Sequence, residues 1–322
     1  MSKIKIGILS CANIAKRFVL PAIKQTPSFE LYGIASRNPK KANQTASEFE
    51  TKAFESYDKL INSPLDAVYI PLPNSLHYEW IKKSLNNNLH VLVEKSMTCS
   101  PEQTQELNTL AQSKGLVLIE NFQFRFHSQM AYIQQVLKSG KLGELRNLRA
   151  SFGFPPFSDS DNIRYQKQLG GGALLDAGAY PVKITQMFLG QDVFVDSASL
   201  AFQDDKEVDI WGSAFLKQKN GKLTAQIAFG FDHFYQNNLE LWGVRGKLTA
   251  TRIFTAGPGV KPEVIIETQD GKETIELPED NHFVNMFNHF ANCINTQQNL
   301  SDEYHQNINQ GRLIGELNER AK

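Results

Sequence analysis

From residue 4 to residue 119 the chain alternates short apolar runs with longer amphipathic ones, and nothing else in it limits the fold as tightly. Lys3-Ile4-Lys5-Ile6-Gly7-Ile8-Leu9 begins as an alternating strand and ends as a buried one. Ser10 to Ala15 form a turn, and a helix follows to about Gln25, with Pro21 inside it predicting a kink or break. Phe29–Ser36 reads as a strand, Pro39–Glu50 as a helix, Asp66–Ile70 as a strand and Leu76–Asn87 as a helix. Leu89–Val93, Pro101–Lys114 and Leu116–Ile119 continue the pattern. Strands joined to helices by short connections argue for a parallel sheet covered on both faces. Right-handed crossovers then make a doubly wound nucleotide-binding sheet the natural outcome.

Composition bounds the partners of such a sheet. With 322 residues there is room for two domains, and 41% hydrophobic against 21% charged residues is the balance of a soluble globular chain. Lys+Arg and Asp+Glu are equal at 34 each, and there is no basic run or zinc-finger spacing, which argues against nucleic acid. Cys11, Cys99 and Cys293 are odd in number and far apart, which suits a reducing, cytoplasmic compartment. Met1 leads straight into charged residues and a strand, so no signal peptide is expected. No apolar run reaches membrane-spanning length, and no His, Cys, Asp or Glu pair has metal-ligand spacing, so neither membrane nor metal is expected.

The turn after the first strand puts Ser10, Ala12 and Ala15 where a dinucleotide fingerprint has G-x-G-x-x-G/A. Ser10, Cys11, Ala12, Asn13 and Ile14 are the candidate phosphate cradle, and an ordinary tight turn is the plain alternative. At the end of the second strand a ribose-binding acid is missing. Ser36, Arg37 and Lys41 stand there instead, and a guanidinium fork suits the extra phosphate of NADP. Ligands bind beyond the carboxyl ends of parallel strands. That places Leu72, Pro73, Asn74 and His77, and then Glu94 and Lys95, beside a cofactor. His77 reads equally as a side chain at a helix start capped by Ser75. A lysine at such an edge can donate to a sugar hydroxyl or a carbonyl, whereas a surface Glu94–Lys95 pair would do little.

Near residue 121 the pattern changes. Asn121 to His127 is aromatic and polar, with Asn121 a candidate substrate contact and Arg125 and His127 weaker ones. A helix to about Ser139 precedes long strands at 144–154, 192–203, 208–218, 222–231, 237–251 and 263–277. Strands without helices between them imply a large open, mostly antiparallel sheet. Helices near 171–189, 280–296 and 301–320 are expected on one face. On the other, Ile210, Phe215, Ile227, Phe229, Leu239 and Leu241 suggest burial against a second subunit, a homodimer or homotetramer. The division expected is 1–121, a dinucleotide-binding domain, and 122–322, an α+β domain for substrate binding and oligomerisation.

Three glycines open the stretch GGGALLDAGAYP at residues 170–181. Asp176 and Tyr180 follow at i and i+4, one helical turn apart on one face. Arg164, just upstream, can bind a phosphate or carboxylate with two donors. No G-x-S-x-G elbow occurs, which argues against a serine hydrolase.

Taken together, IGILSCANIA, EKSMT (where the family usually has EKP) and GGGALLDAGAYP resemble the glucose–fructose oxidoreductase and inositol dehydrogenase family, in order and spacing over essentially the whole chain. Within that family the chain looks most like the NADP-dependent NDP-hexose 3-ketoreductases, which share the small-residue turn, a loop like Asn162-Ile163-Arg164-Tyr165 and a tyrosine at the position of Tyr180. The resemblance implies an N-terminal Rossmann domain and an NADPH-dependent reductase acting on a keto group of a nucleotide-linked sugar in deoxysugar biosynthesis. It implies that Lys95 orients the substrate, Tyr180 gives the proton and Asp176 orients substrate or ribose. Two alternatives stay open: an NADP-dependent dehydrogenase of a free polyol, anhydrofructose or trans-dihydrodiol, and a catalytically silent dinucleotide sensor.

Overall fold

The structure, a computed structural model, describes residues 2–159, 161–204 and 206–321. It divides into two compact units, one running through Asn121 and taking in Phe283–Ile308, the other made of Phe122–His282 and the residues from Asn309 onward.

The first unit holds six strands: β1 (Ile4–Leu9), β2 (Phe29–Ala35), β3 (Lys52–Phe54), β4 (Ala67–Ile70), β5 (His90–Glu94) and β6 (Leu118–Asn121). Their order is β3-β2-β1-β4-β5-β6, and every pair is parallel. This is the doubly wound arrangement, reversing beside β1, where ligands bind. Helices α1 (Leu20–Gln25), α2 (Pro39–Glu48), α3 (Tyr57–Ile61), α4 (Asn74–Asn86) and α5 (Pro101–Lys114) make the connections. The expected break at Pro21 takes another form. A π-helical turn, Ala15–Val19, runs directly into α1, so Pro21 falls in the first turn of α1. The widened turn before it accommodates a residue that has no N–H to give the preceding helical carbonyls, so the helix continues through Pro21. Ser75 is not a cap, because α4 starts one residue earlier, after Pro73, without a side-chain cap.

The second unit begins with α6 (Ser128–Lys138) and β7 (Leu145–Gly153). A π-helical turn at Leu174–Gly178 leads into α7 (Ala179–Leu189). Then come β8 (Val193–Phe202), β9 (Asp209–Gln218), β10 (Thr224–Gly230), β11 (Gln236–Gly243), β12 (Gly246–Thr251), β13 (Glu263–Thr268) and β14 (Gly271–Glu276). Their order is β14-β13-β12-β11-β7-β10-β9-β8. All pairs are antiparallel except β7 with β10. The strand expected over 263–277 is a hairpin that turns at Gln269 and Asp270.

Ile210, Ile227, Phe229, Leu239 and Leu241 do not face outward; each is at most 2% exposed, in the core beneath α7. Phe215 alone of that set lies on the open face, next to Ser213 and Trp211. Alternation is the reason: positions 210 and 215 in one strand have opposite parity and cannot share a face.

The chain closes with α8 (His282–Thr296) and α9 (Leu300–Arg320). From Phe283 on, α8 belongs to the first unit rather than covering the second unit's sheet. Phe287 and Phe290 pack on Phe29 at centroid distances of 5.3 and 5.9 Å, and Phe283 stacks on Phe18 at 5.0 Å. In α9, Asn307 donates to Asn108 Oδ1 and to Leu118 O, both at 2.9 Å, while Leu313 and Leu317 enter the core of the second unit.

Candidate active site

In the first unit, Ser10 occupies the fingerprint's leading glycine position with φ of +146°. A side chain there is strained by about 1–3 kcal/mol, so the turn is forced into the glycine conformation without glycine. Ala15 is fully buried against the sheet, and Ala12 O accepts from Lys16 N to start the helix. Cys11 Sγ contacts Lys41 O at 3.5 Å; Asn13 is exposed and Ile14 partly buried. Ser36 Oγ accepts from Asn38 N, and Asn38 Oδ1 caps α2 by accepting from Lys41 N. Arg37 is exposed and reaches the Tyr57 phenol, whose pKa burial nevertheless pushes up. A hydroxyl, a guanidinium and the nearby Lys41 thus stand at the ribose end, and small side chains at the phosphate end. These residues fit a phosphorylated dinucleotide.

The edge beyond β4 and β5 is tightly held. Glu94 Oε1 accepts from Tyr69 OH at 2.5 Å and from Asn121 Nδ2 at 2.6 Å, while burial pushes its carboxyl up. Asn121 is therefore occupied with Glu94 and completely buried. Lys95 follows, and the Lys95–Ser96 peptide is cis. Met97 N donates to Glu120 Oε1 at 2.7 Å, a support that sequence reasoning missed. His77 is 0% exposed, its Nδ1 2.8 Å from Ser96 O and its Nε2 2.7 Å from Leu72 O. It ties together the two loops that carry Leu72 and Lys95 rather than presenting a ring to a ligand. Pro73 and Asn74, between those ties, open α4.

In the second unit, Arg164 Nε donates to Asp176 Oδ2 at 2.6 Å, and its guanidinium lies 4.8 Å from the Phe157 ring centroid. The Asp176 charge holds the arginine's pKa above its ordinary value. The loop is folded back locally: Asn162 Oδ1 accepts from Arg164 N, and Gly172 N donates to Arg164 O. Gly171 presses on the Arg164 carbonyl, so a Cβ there would overlap it. Tyr180 is 7% exposed and ringed by Phe122, Phe124, Phe152 and Phe254 at centroid distances of 5.0 to 6.0 Å. Such edge and tilted pairs add about 0.5–1.5 kcal/mol each beyond burial and fix the ring. Gln123 Nε2 donates to the Tyr180 hydroxyl at 3.5 Å. Gln310 Nε2 donates to Ala179 O and steadies α7 from behind.

Asp209 was not anticipated. Its Oδ2 accepts from Leu174 N at 2.6 Å, capping the turn that carries Asp176. Burial raises its pKa to about 6, against the pull of the Leu174 and Ala173 amides. Its only sequence signal is an acid opening an alternating strand, which reads as surface. His127 and Arg125 take structural places: His127 Nδ1 caps α6 by accepting from Gln129 N, and Arg125 lies over the Phe126 ring.

A six-stranded parallel sheet with a glycine-type turn after β1, followed by an open sheet with an Arg164–Asp176 pair and Tyr180 on the segments that lead into and open α7, is the build of a dinucleotide-dependent oxidoreductase. The chain belongs to the GFO/IDH/MocA family, the oxidoreductase family with an NAD-binding Rossmann fold, which residues 4–122 match; residues 130–249 match the family's C-terminal domain. It is 38% identical, over 99% of its length and 96% of the relative's, to dTDP-3,4-didehydro-2,6-dideoxy-alpha-D-glucose 3-reductase of Actinomadura kijaniata. D-xylose 1-dehydrogenase (NADP(+)) 2 of Haloferax volcanii is 31% identical over 98% of this chain and 97% of that one. Among solved structures, the Actinomadura kijaniata 3-ketoreductase KijD10 in complex with NADP and TDP-benzene superposes with a TM-score of 0.95. It is 37% identical, covering 99% of this chain and 98% of that one.

Proposed function

We propose that this protein is an NADPH-dependent reductase of a keto group on a dTDP-type nucleotide-linked sugar, working in deoxysugar biosynthesis. The observation that carries the reading is the likeness to a 3-reductase of such a sugar over 99% of the chain. NADPH, when bound, supplies the hydride to the carbonyl carbon and is itself oxidised. Tyr180 Oη gives its proton to the carbonyl oxygen, on which negative charge develops. Its aromatic ring of neighbours keeps the phenol aimed and excludes water. Lys95 donates to the substrate hydroxyl or carbonyl from a turn fixed by Glu120 and His77. Asp176 holds Arg164 through Nε, and the guanidinium's other donors are left to take a substrate phosphate. Ser10 to Ile14, Ser36, Arg37 and Lys41 hold the dinucleotide, and the extra phosphate of NADP pairs with Arg37.

A second reading, an NADP-dependent dehydrogenase of a free sugar, is favoured by the likeness to a D-xylose dehydrogenase. One assay separates the two. NADPH and NADH oxidation is followed with a dTDP-linked 3-keto-deoxysugar and with anhydrofructose, and NADP reduction with D-xylose. Turnover confined to the sugar nucleotide supports the reductase; turnover with the free sugars alone overturns it.

We further propose that the protein works in the cytoplasm as a homodimer or homotetramer joined through the open face of the second unit's sheet, where Trp211, Phe215 and Trp242 emerge. No described helix is long and apolar enough to cross a membrane. Light scattering of Trp242→Glu tests the assembly: an unchanged particle mass removes this face from it.

A further inference from the structure

A phenol has an ordinary pKa near 10 and gives up its proton poorly unless a cation steadies the phenolate left behind. The charged and titratable groups grouped with Tyr180 in its unit are Arg164 and Tyr165 from the loop before the glycines, Asp176 and Lys183 from its own helical stretch, and Asp209 from β9. The strands and aromatic segments that surround the ring, through Phe122, Phe124, Phe152 and Phe254, bring no charge to it, and Gln123 brings a neutral amide donor at 3.5 Å from the hydroxyl. Asp209 is committed to the Leu174 amide. Lys183 is completely buried, its ammonium 5.6 Å from the Phe122 ring centroid. Arg164 is placed differently. Its Nε is bonded to Asp176, four residues before Tyr180, and its guanidinium carbon lies 4.8 Å from the Phe157 ring centroid. Two contacts thus fix one cation beside the turn that leads into the helix of Tyr180, and the Tyr180 charge is felt at the guanidinium.

We propose that Arg164 is a positioning residue for proton transfer: seated on Asp176 and Phe157, its guanidinium steadies the Tyr180 phenolate formed as the proton passes to the carbonyl oxygen. This deepens the reductase reading and rests on it. It differs from a plain phosphate-binding role, which would act on substrate affinity and leave the proton step alone. The proton leaves Tyr180 Oη and joins the substrate oxygen, and the charge left on the phenol is balanced by a guanidinium already in place.

The test is a phenolate absorbance titration of the full-length protein, with the Tyr180→Phe variant subtracted so that only Tyr180 is seen. In Arg164→Gln the titration moves to higher pH by about one pH unit, the size expected on loss of a partly screened unit charge. Arg164→Lys, which keeps a charge, stays near the parent. Asp176→Asn removes a negative charge near the phenol and leaves the cation, so it moves the titration the other way, to lower pH, and Arg164→Met serves if Arg164→Gln does not fold. With the keto-sugar nucleotide, kcat of Arg164→Gln falls on the order of tenfold and the basic limb of its pH profile follows the titration. An unmoved titration, a loss confined to KM, or a shift produced by Lys183→Met and not by Arg164→Gln overturns the proposal. The titration needs no substrate. A shift without turnover on any sugar nucleotide would therefore sink the reductase reading while leaving the Arg164–Tyr180 coupling standing.

Discussion

The carboxylate of Asp209 occupies the space that any side chain at position 172 would need. Gly172 has φ of +114°, and a Cβ built on it would overlap Asp209 Oδ1. The same carboxylate caps Leu174. Glycine is required here twice over, for its backbone and for the room it leaves. Gly172→Ala should therefore cost at least about 2 kcal/mol of stability and lower activity with it, since the displaced turn carries Asp176. Urea unfolding checks this, and an unmoved midpoint would show that Asp209 can step aside.

Asp209 also makes a pH prediction whose sign is opposite to that of most acids. Its folded pKa, about 6, lies above the ordinary value of 3.8. The stability it contributes is complete below pH 4 and is lost as pH rises through 6, up to about 3 kcal/mol. Asp209→Asn keeps an acceptor for the Leu174 amide and carries no charge. It should be more stable than the parent at pH 8 and lose that advantage at pH 4.5. Equal midpoints at both values would contradict the buried-charge account.

His77 runs the other way. Burial lowers its pKa from 6.5 to about 4. A neutral ring has one N–H, so it donates to only one of the Ser96 and Leu72 carbonyls. The stability it gives is present above pH 6.5 and lost as pH falls through 4, about 3 kcal/mol at most. His77→Gln should cost about 1–3 kcal/mol at pH 7 and flatten the acid limb of a stability profile. A limb of unchanged steepness would assign it to His282, whose pKa burial also lowers to about 4.

At the phosphate turn, Ser10→Gly removes a side chain from a backbone only glycine adopts freely. The thermal midpoint should rise, by the equivalent of about 1 kcal/mol after the added freedom of the unfolded chain is subtracted. NADPH affinity measured by fluorescence should stay within a fewfold. A fall in both would mean that the serine hydroxyl holds phosphate.

Tyr180→Phe leaves the aromatic packing in place and removes only the hydroxyl. Turnover should drop by about 10²- to 10⁴-fold while NADPH affinity is kept. Undiminished turnover would take the acid role away from Tyr180.

Much of the first unit was legible because its strands and helices are long enough to show a period. What escaped was short: β3 has three residues and α3 has five, too few for alternation or a helical stripe to register. The hairpin inside 263–277 did carry a signal, Asp270-Gly271, which the surrounding alternation concealed. The candidate site was legible in its chemistry and not in its supports. Asp176, Tyr180 and Arg164 stand in one stretch of sequence, and the structure bonds the first to the last. Asp209 reaches the same cluster from a distant strand and Phe254 from the turn after β12, and no local pattern announces a contact made only by tertiary folding.

The place of β7 bears on how the chain is made. It is the first strand of its sheet to be synthesised and lies between β10 and β11 in the finished sheet. Asn147 finds its cross-strand partner, Thr224, 77 residues later. Until then both edges of β7 are unpaired, and Leu148, Ala150 and Phe152 have no sheet to join. A ribosome adding about 5–20 residues per second leaves that strand open for several seconds. Nascent chains stalled between residues 153 and 224 should therefore be the ones that chaperones hold, and stalls beyond residue 243 the ones they release.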